Sequence, residues 1–135
     1  MFEQDYLMRM ILQLVEAIRR AMELERRKHD PGNAAEVLEA VIGQATELDG
    51  TVLLSLAPES IADILRVSGT DPAVVEFVGR SLLLESEYLR QAGDASMAKL
   101  REGQARALAQ SYGFDLGDGN NAESEMDDFL NTLTE

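Results

Sequence analysis

The sequence predicts an all-α protein made of antiparallel helical hairpins, about five helices plus a short C-terminal one. Apolar residues recur at helical spacing through most of the chain. The segments that carry them are rich in Leu, Met, Ala, Glu and Arg, which are good helix formers. The breaks fall at Asp, Pro and Gly positions suited to opening and closing helices. Three regions follow from this reading: a helical domain over 1–113, a flexible acidic linker over 114–123, and an amphipathic helix over 124–135.

The first helix is expected from Gln4 to Lys28, a stretch without internal Gly or Pro. Arg9, Gln13, Glu16, Arg20, Glu23 and Arg27 advance by four and three and form one polar stripe. Glu16 with Arg20 and Glu23 with Arg27 are i,i+4 pairs in the favoured order, worth about 0.3 kcal/mol each. Nearly every other residue from Tyr6 to Ile18 is apolar, an arc wider than one neighbouring helix covers. That width predicts either the central helix of the fold or a helix also covered by a second subunit.

Asp30-Pro31-Gly32-Asn33 reads as a turn, with Asn33 capping the second helix and Glu36 completing a capping box. Val37, Leu38, Val41, Ile42, Ala45 and Leu48 keep the period until Gly50. Residues 51–57 are apolar and short, and periodicity leaves a helical turn and a buried connection equally open. Pro58 opens a third helix through Ile61, Ile64 and Leu65 that closes at Ser68-Gly69. Asp71-Pro72 caps and opens the fourth, with Val75, Val78, Leu82 and Leu89 inside and Glu76 and Arg80 outside.

Gly93 ends that helix and Asp94 caps the fifth, so these two must lie antiparallel and in contact. Met97, Leu100, Gln104, Leu108 and Ser111 follow its period up to Tyr112-Gly113. Gly103 inside a helix costs about 1 kcal/mol relative to Ala. It predicts a close helix approach, as does Gly79. Beyond Asp115 the chain turns polar and Gly-rich, then Met126, Phe129, Leu130 and Leu133 fall at i, i+3, i+4 and i+7. A helix so short must dock on something to be ordered.

EYLRQAGDASMAKLREGQARAL resembles the inner part of a tetratricopeptide repeat. Gly93-Asp94 is its turn, Ala98 and Ala105 stand at the small-residue positions, and Glu102 replaces the aromatic between them. With the opening MFEQDYLMRMI, the chain resembles a family of short, uncharacterised bacterial proteins with a tetratricopeptide-like helical fold. The resemblance implies a helical, cytoplasmic protein and supplies no catalytic residues.

Composition excludes more than it proposes. Of 135 residues 45 % are apolar, and there is no cysteine, so disulfides, thiolate metal sites and cysteine nucleophiles are ruled out. No apolar run approaches the roughly 18 residues of a membrane span. The acidic residues near the start are unlike a secretory signal, so a cytoplasmic location is expected. The net charge is −13, which argues against nucleic acid and anionic membranes as partners. Residues 1–30 hold six basic and six acidic side chains, whereas 113–135 hold seven acids and no base.

No catalytic, cofactor or metal site is expected. His29, the one histidine, reads as a cation complementing a helix C-terminus. Ser55 and Ser60 have no histidine near in sequence to activate them. Asp115, Asp118, Asn120, Glu123 and Glu125 do not follow a calcium-loop pattern. Glu85 and Glu87, two apart, point to different sides of a helix and form no dyad.

What remains is an interaction face. It comprises Leu7, Ile11 and Leu14 of the first helix, the cations Arg19, Arg20, Arg26 and Arg27, and Met126, Phe129, Leu130 and Leu133 of the tail. The cations read as a solvated face or as a dock for an acidic helix, the tail of this chain or of another copy. A non-enzymatic, homodimeric protein–protein interaction module is the leading expectation. A small-molecule-binding or hydrolytic protein with a pocket lined by Tyr6, Tyr88 and Tyr112 is the alternative. Nucleic-acid binding through the arginines is a third.

Overall fold

A computed structural model describes residues 2–134, with side chains from 5 to 133. Those residues form seven helices and no strand: α1 (Phe2–Lys28), α2 (Pro31–Thr46), α3 (Gly50–Leu54), α4 (Pro58–Val67), α5 (Pro72–Gln91), α6 (Ala95–Tyr112) and α7 (Ala122–Thr134). The undecided stretch 51–57 is therefore mostly the short helix α3 and the turn that leaves it. The C-terminal helix begins at Ala122, two residues before its expected start.

The helix at the centre is α5, not α1. It packs against α6, α2 and α7, and to a lesser extent α1. Val74, Val75, Phe77, Val78, Leu82, Leu83, Leu84 and Tyr88 are all buried, which leaves α5 little outer face beyond its ends. In α1 only the C-terminal half is sealed, through Leu14, Val15, Ala17, Ile18, Ala21 and Met22. Its wide apolar arc is thus split: one half serves the core and the other does not.

Two caps differ from expectation. Asp30, rather than Asn33, caps α2: its Oδ1 accepts from the Asn33 amide at 3.2 Å and its Oδ2 from Asn33 Nδ2 at 2.7 Å. Pro31 then takes the first helical position, where its missing N–H costs nothing. The chain turns one residue earlier, at His29, whose φ is +51°. At the other end Glu47 closes α2 in the left-handed region with φ +58°, the role expected of Gly50. Gly50 instead opens α3, where a Cβ would come within 3.5 Å of the Gly43 Cα, so α2 and α3 meet backbone to backbone.

The buried stripe of α6 is Ala98, Arg101, Gln104, Ala105, Leu108 and Ala109. Met97 and Ser111 lie outside it, so the stripe is rotated from the expected one. Gly103 does mark a close approach: a Cβ there would sit 3.2 Å from Pro58 Cγ of α4. Gly79 faces a ring rather than a helix, since an added Cβ would lie 2.7 Å from Phe114 Cζ.

Residues 114–121 are held at several points. Leu116 is buried, Arg80 Nη2 donates to the Asp115 carbonyl at 3.2 Å, and Arg106 Nη1 donates to that of Gly117 at 2.5 Å. The expected flexible linker is thus a strap laid over α5 and α6.

The cap assignment is testable. Asp30→Ala should cost about 1 kcal/mol in urea unfolding, the usual loss for an N-cap. Asn33→Ala, which removes one exposed hydrogen bond, should cost only a few tenths of that unit.

Candidate interaction face

The basic end of α1 meets the acidic tail of its own chain. Arg26 Nε binds Glu123 Oε1 at 2.6 Å and its Nη2 binds Asp127 Oδ2 at 2.5 Å, while Arg19 Nη2 donates to Asn131 Oδ1 at 3.1 Å. The two carboxylates hold the Arg26 guanidinium more firmly protonated than usual. Glu123 also accepts from the Tyr88 hydroxyl at 2.8 Å, and burial together with that bond raises the tyrosine well above its ordinary range. Arg20 and Arg27 pair along α1, with Glu16 at 3.6 Å and Glu23 at 2.9 Å.

Apolar contacts complete the dock. Ala122, Met126 and Leu130 are buried one turn apart, and Phe129 meets Phe77 edge-on with ring centroids 5.1 Å apart. The Arg80 guanidinium lies 4.4 Å from the Phe129 ring centre on the way to Glu76. Leu133 remains 41 % exposed.

The expected face therefore divides into three. Leu14, Met126 and Leu130 are interior. Arg19 and Arg26 are engaged with α7. Leu7 and Ile11 are half-buried at the edge of what stays open. That open surface is the outer side of the N-terminal half of α1, where Met8 and Leu12 are 59 % and 51 % exposed. Asp5, Arg9, Glu16 and Arg20 flank them, all exposed. Tyr6 donates to Glu47 Oε1 at 2.9 Å, and that bond raises its hydroxyl above the ordinary tyrosine value. It also lines a groove of about 500 Å³ with Met10, Thr46, Glu47, Ser68, Thr70 and Asp71.

The three tyrosines go to different partners: Tyr6 to Glu47, Tyr88 to Glu123, and Tyr112 beneath Arg66, whose guanidinium lies 4.8 Å from the ring centre. His29 is exposed at the end of α1. Among the described residues no cluster of acids or histidines is arranged to hold a metal ion, and no helix is long and apolar enough to cross a membrane.

One buried polar cluster escaped the sequence reading. Arg101 of α6 donates from Nε to Glu85 Oε2 at 2.8 Å, from Nη1 to the Leu54 carbonyl at 2.8 Å, and from Nη2 to Glu39 Oε2 at 3.3 Å. Gln104 Nε2 reaches the carbonyls of Leu54 and Leu56 at 3.0 and 2.8 Å. Glu85 is wholly buried, and burial, then the Glu39 carboxylate beside it, push its acid up to about 9 against the pull of Arg101. With Glu85 neutral, the cluster holds one cation, Arg101, and one anion, Glu39, and Glu85 Oε1 is buried without a hydrogen-bond partner. The signal in the sequence was spacing: Glu85 stands three residues after Leu82 on the inner stripe of α5, and Arg101 three before Gln104 on that of α6. Glu87 points elsewhere, as expected. Its carboxyl is raised by burial and by Glu123.

No family model, curated protein or solved structure matches the chain.

Two outcomes are expected. Folded Glu85 keeps its proton up to about 9, whereas an unfolded Glu releases it near 4.3. Between those values the unfolded chain binds fewer protons, so stability falls as pH rises. Denaturation at a series of pH values should show that decline, and Glu85→Gln should flatten it. Met126→Ala should loosen α7 by about 2 kcal/mol, read as roughly thirtyfold faster amide exchange across 122–134.

Proposed function

We propose that the protein is a non-enzymatic helical interaction module of the cytoplasm, with tetratricopeptide-like hairpins and a capacity to self-associate. Its docking surface is the N-terminal half of α1. The observation that carries this reading is the pair Met8 and Leu12, two large apolar side chains more than half exposed on one face of the helix. Covering what water reaches of each offers about 1 kcal/mol apiece, and charged residues rim the patch as they do at protein interfaces.

The chemistry of the interior supports a role without turnover. The acid with a strongly raised pKa, Glu85, has no exposed surface and is closed off by Glu39 and Arg101. The groove beside Tyr6 is the observation that favours a small-molecule site instead. Its Ser68 hydroxyl is already bonded to the Leu65 carbonyl at 3.1 Å and to Thr70 at 3.0 Å, and its carboxylates Glu47 and Asp71 accept from Tyr6 and from the Ala73 amide, so the groove is better suited to receive a partner's side chain. A net charge of −13 disfavours nucleic acid and anionic membranes.

Photo-crosslinking residues placed at Met8 and Leu12 of the full chain, in the native cell, test the reading. Protein adducts at these positions, absent when the crosslinker stands at exposed Glu36 of α2, are expected. Adducts no more frequent than at Glu36 would overturn it.

A further inference from the structure

The open face of α1 carries a charge pattern that is its own complement. Asp5, Arg9, Glu16 and Arg20 are exposed and alternate in sign along the helix. Asp5 and Arg20 are equally far from the Leu12–Gln13 peptide, and so are Arg9 and Glu16. At about 100° per residue the four charges fall along one side of Leu12, with Met8 on the other.

Resting on the reading of this face as a docking surface, we propose that its occupant is a second copy of the chain, packed antiparallel along α1 about a two-fold axis beside the Leu12–Gln13 peptide. Such an axis, normal to the helices and to the line joining them, returns each rim of α1 to the same rim of the other copy. Asp5 then meets Arg20 of the partner subunit, and Arg9 meets Glu16 of the partner subunit, each pair formed twice. Leu12 lies against Leu12 of the partner subunit, and the apolar contact is continued by Met8.

Charge elsewhere favours this approach over others. Residues 31–135 hold six basic and nineteen acidic side chains, whereas residues 1–30 hold six of each. Two copies can meet through α1 without bringing excess negative charge together. From Asp5 to Arg20 the helix rises about 22 Å and offers a strip about 10 Å wide. That area belongs with small, reversible interfaces, so the dimer is weak and depends on concentration.

Sedimentation equilibrium of the full chain, from micromolar to near-millimolar concentration, tests the pairing. A monomer–dimer equilibrium is expected, weakened roughly a hundredfold by Leu12→Asp and about tenfold by Arg9→Glu. Both positions are exposed, so helix content by circular dichroism should stay unchanged. Exchanging all four charges (Asp5→Arg, Arg9→Glu, Glu16→Arg, Arg20→Glu) inverts every pair, within and between helices, and should restore association to within about threefold. A monomer at every concentration, or a dimer indifferent to these substitutions, overturns the pairing. If the protein is monomeric while crosslinkers at Met8 capture a different protein, the pairing falls and the interaction module stands. If neither occurs, both fall.

Discussion

The fold depends on satisfying the backbone where α3 stops inside the protein. A helix end leaves carbonyls without partners, and a buried orphan of that kind costs about 1–3 kcal/mol. The carbonyl of Leu54 receives Arg101 and Gln104, and that of Leu56 receives Gln104. Arg101 in turn requires an anion, and Glu39 supplies it while Glu85 stays protonated and accepts a bond. One guanidinium thereby ties α2, α3, α5 and α6 into a single register. Leucines at both 101 and 104 would fill the volume but leave those carbonyls unpaired.

Much of the helical layout was legible because its signals are local. Asp71-Pro72 and Gly93-Asp94 are punctuated by chemistry that acts within four residues, and the structure places helix ends there. Asp30 and Asn33 show the limit of that reasoning. Both are good caps, and only the left-handed turn at His29 decides between them. The strap over 114–121 was illegible for a different reason. Its Asp and Gly residues look mobile in sequence, and it is anchored by Arg80 and Arg106, which lie on other helices.

The candidate face was legible in part. Periodicity marked α1 as too apolar for one neighbour, but it could not say which half the tail would cover. That depended on Arg26 finding Glu123 and Asp127 about a hundred positions away in sequence. Met126 and Leu130 are buried in that dock, Leu14 is interior where α1 packs on α2, and Met8 and Leu12 are left outside. The cluster at Glu85 was illegible because its partners, Arg101 and Glu39, lie on other helices. Glu85 itself is the part of the inner stripe of α5 that faces Arg101.

The missing side chain at Gly79 has a consequence for how the chain can change. Phe114 occupies the volume a methyl group would need, and its ring sits just ahead of the strap that leads to α7. The two positions form a lock and its key. A lineage that acquires alanine at 79 must trim or swing the residue at 114, and with it the point from which the tail sets out. The order of change is therefore fixed: a smaller residue at 114 has to come before any side chain at 79.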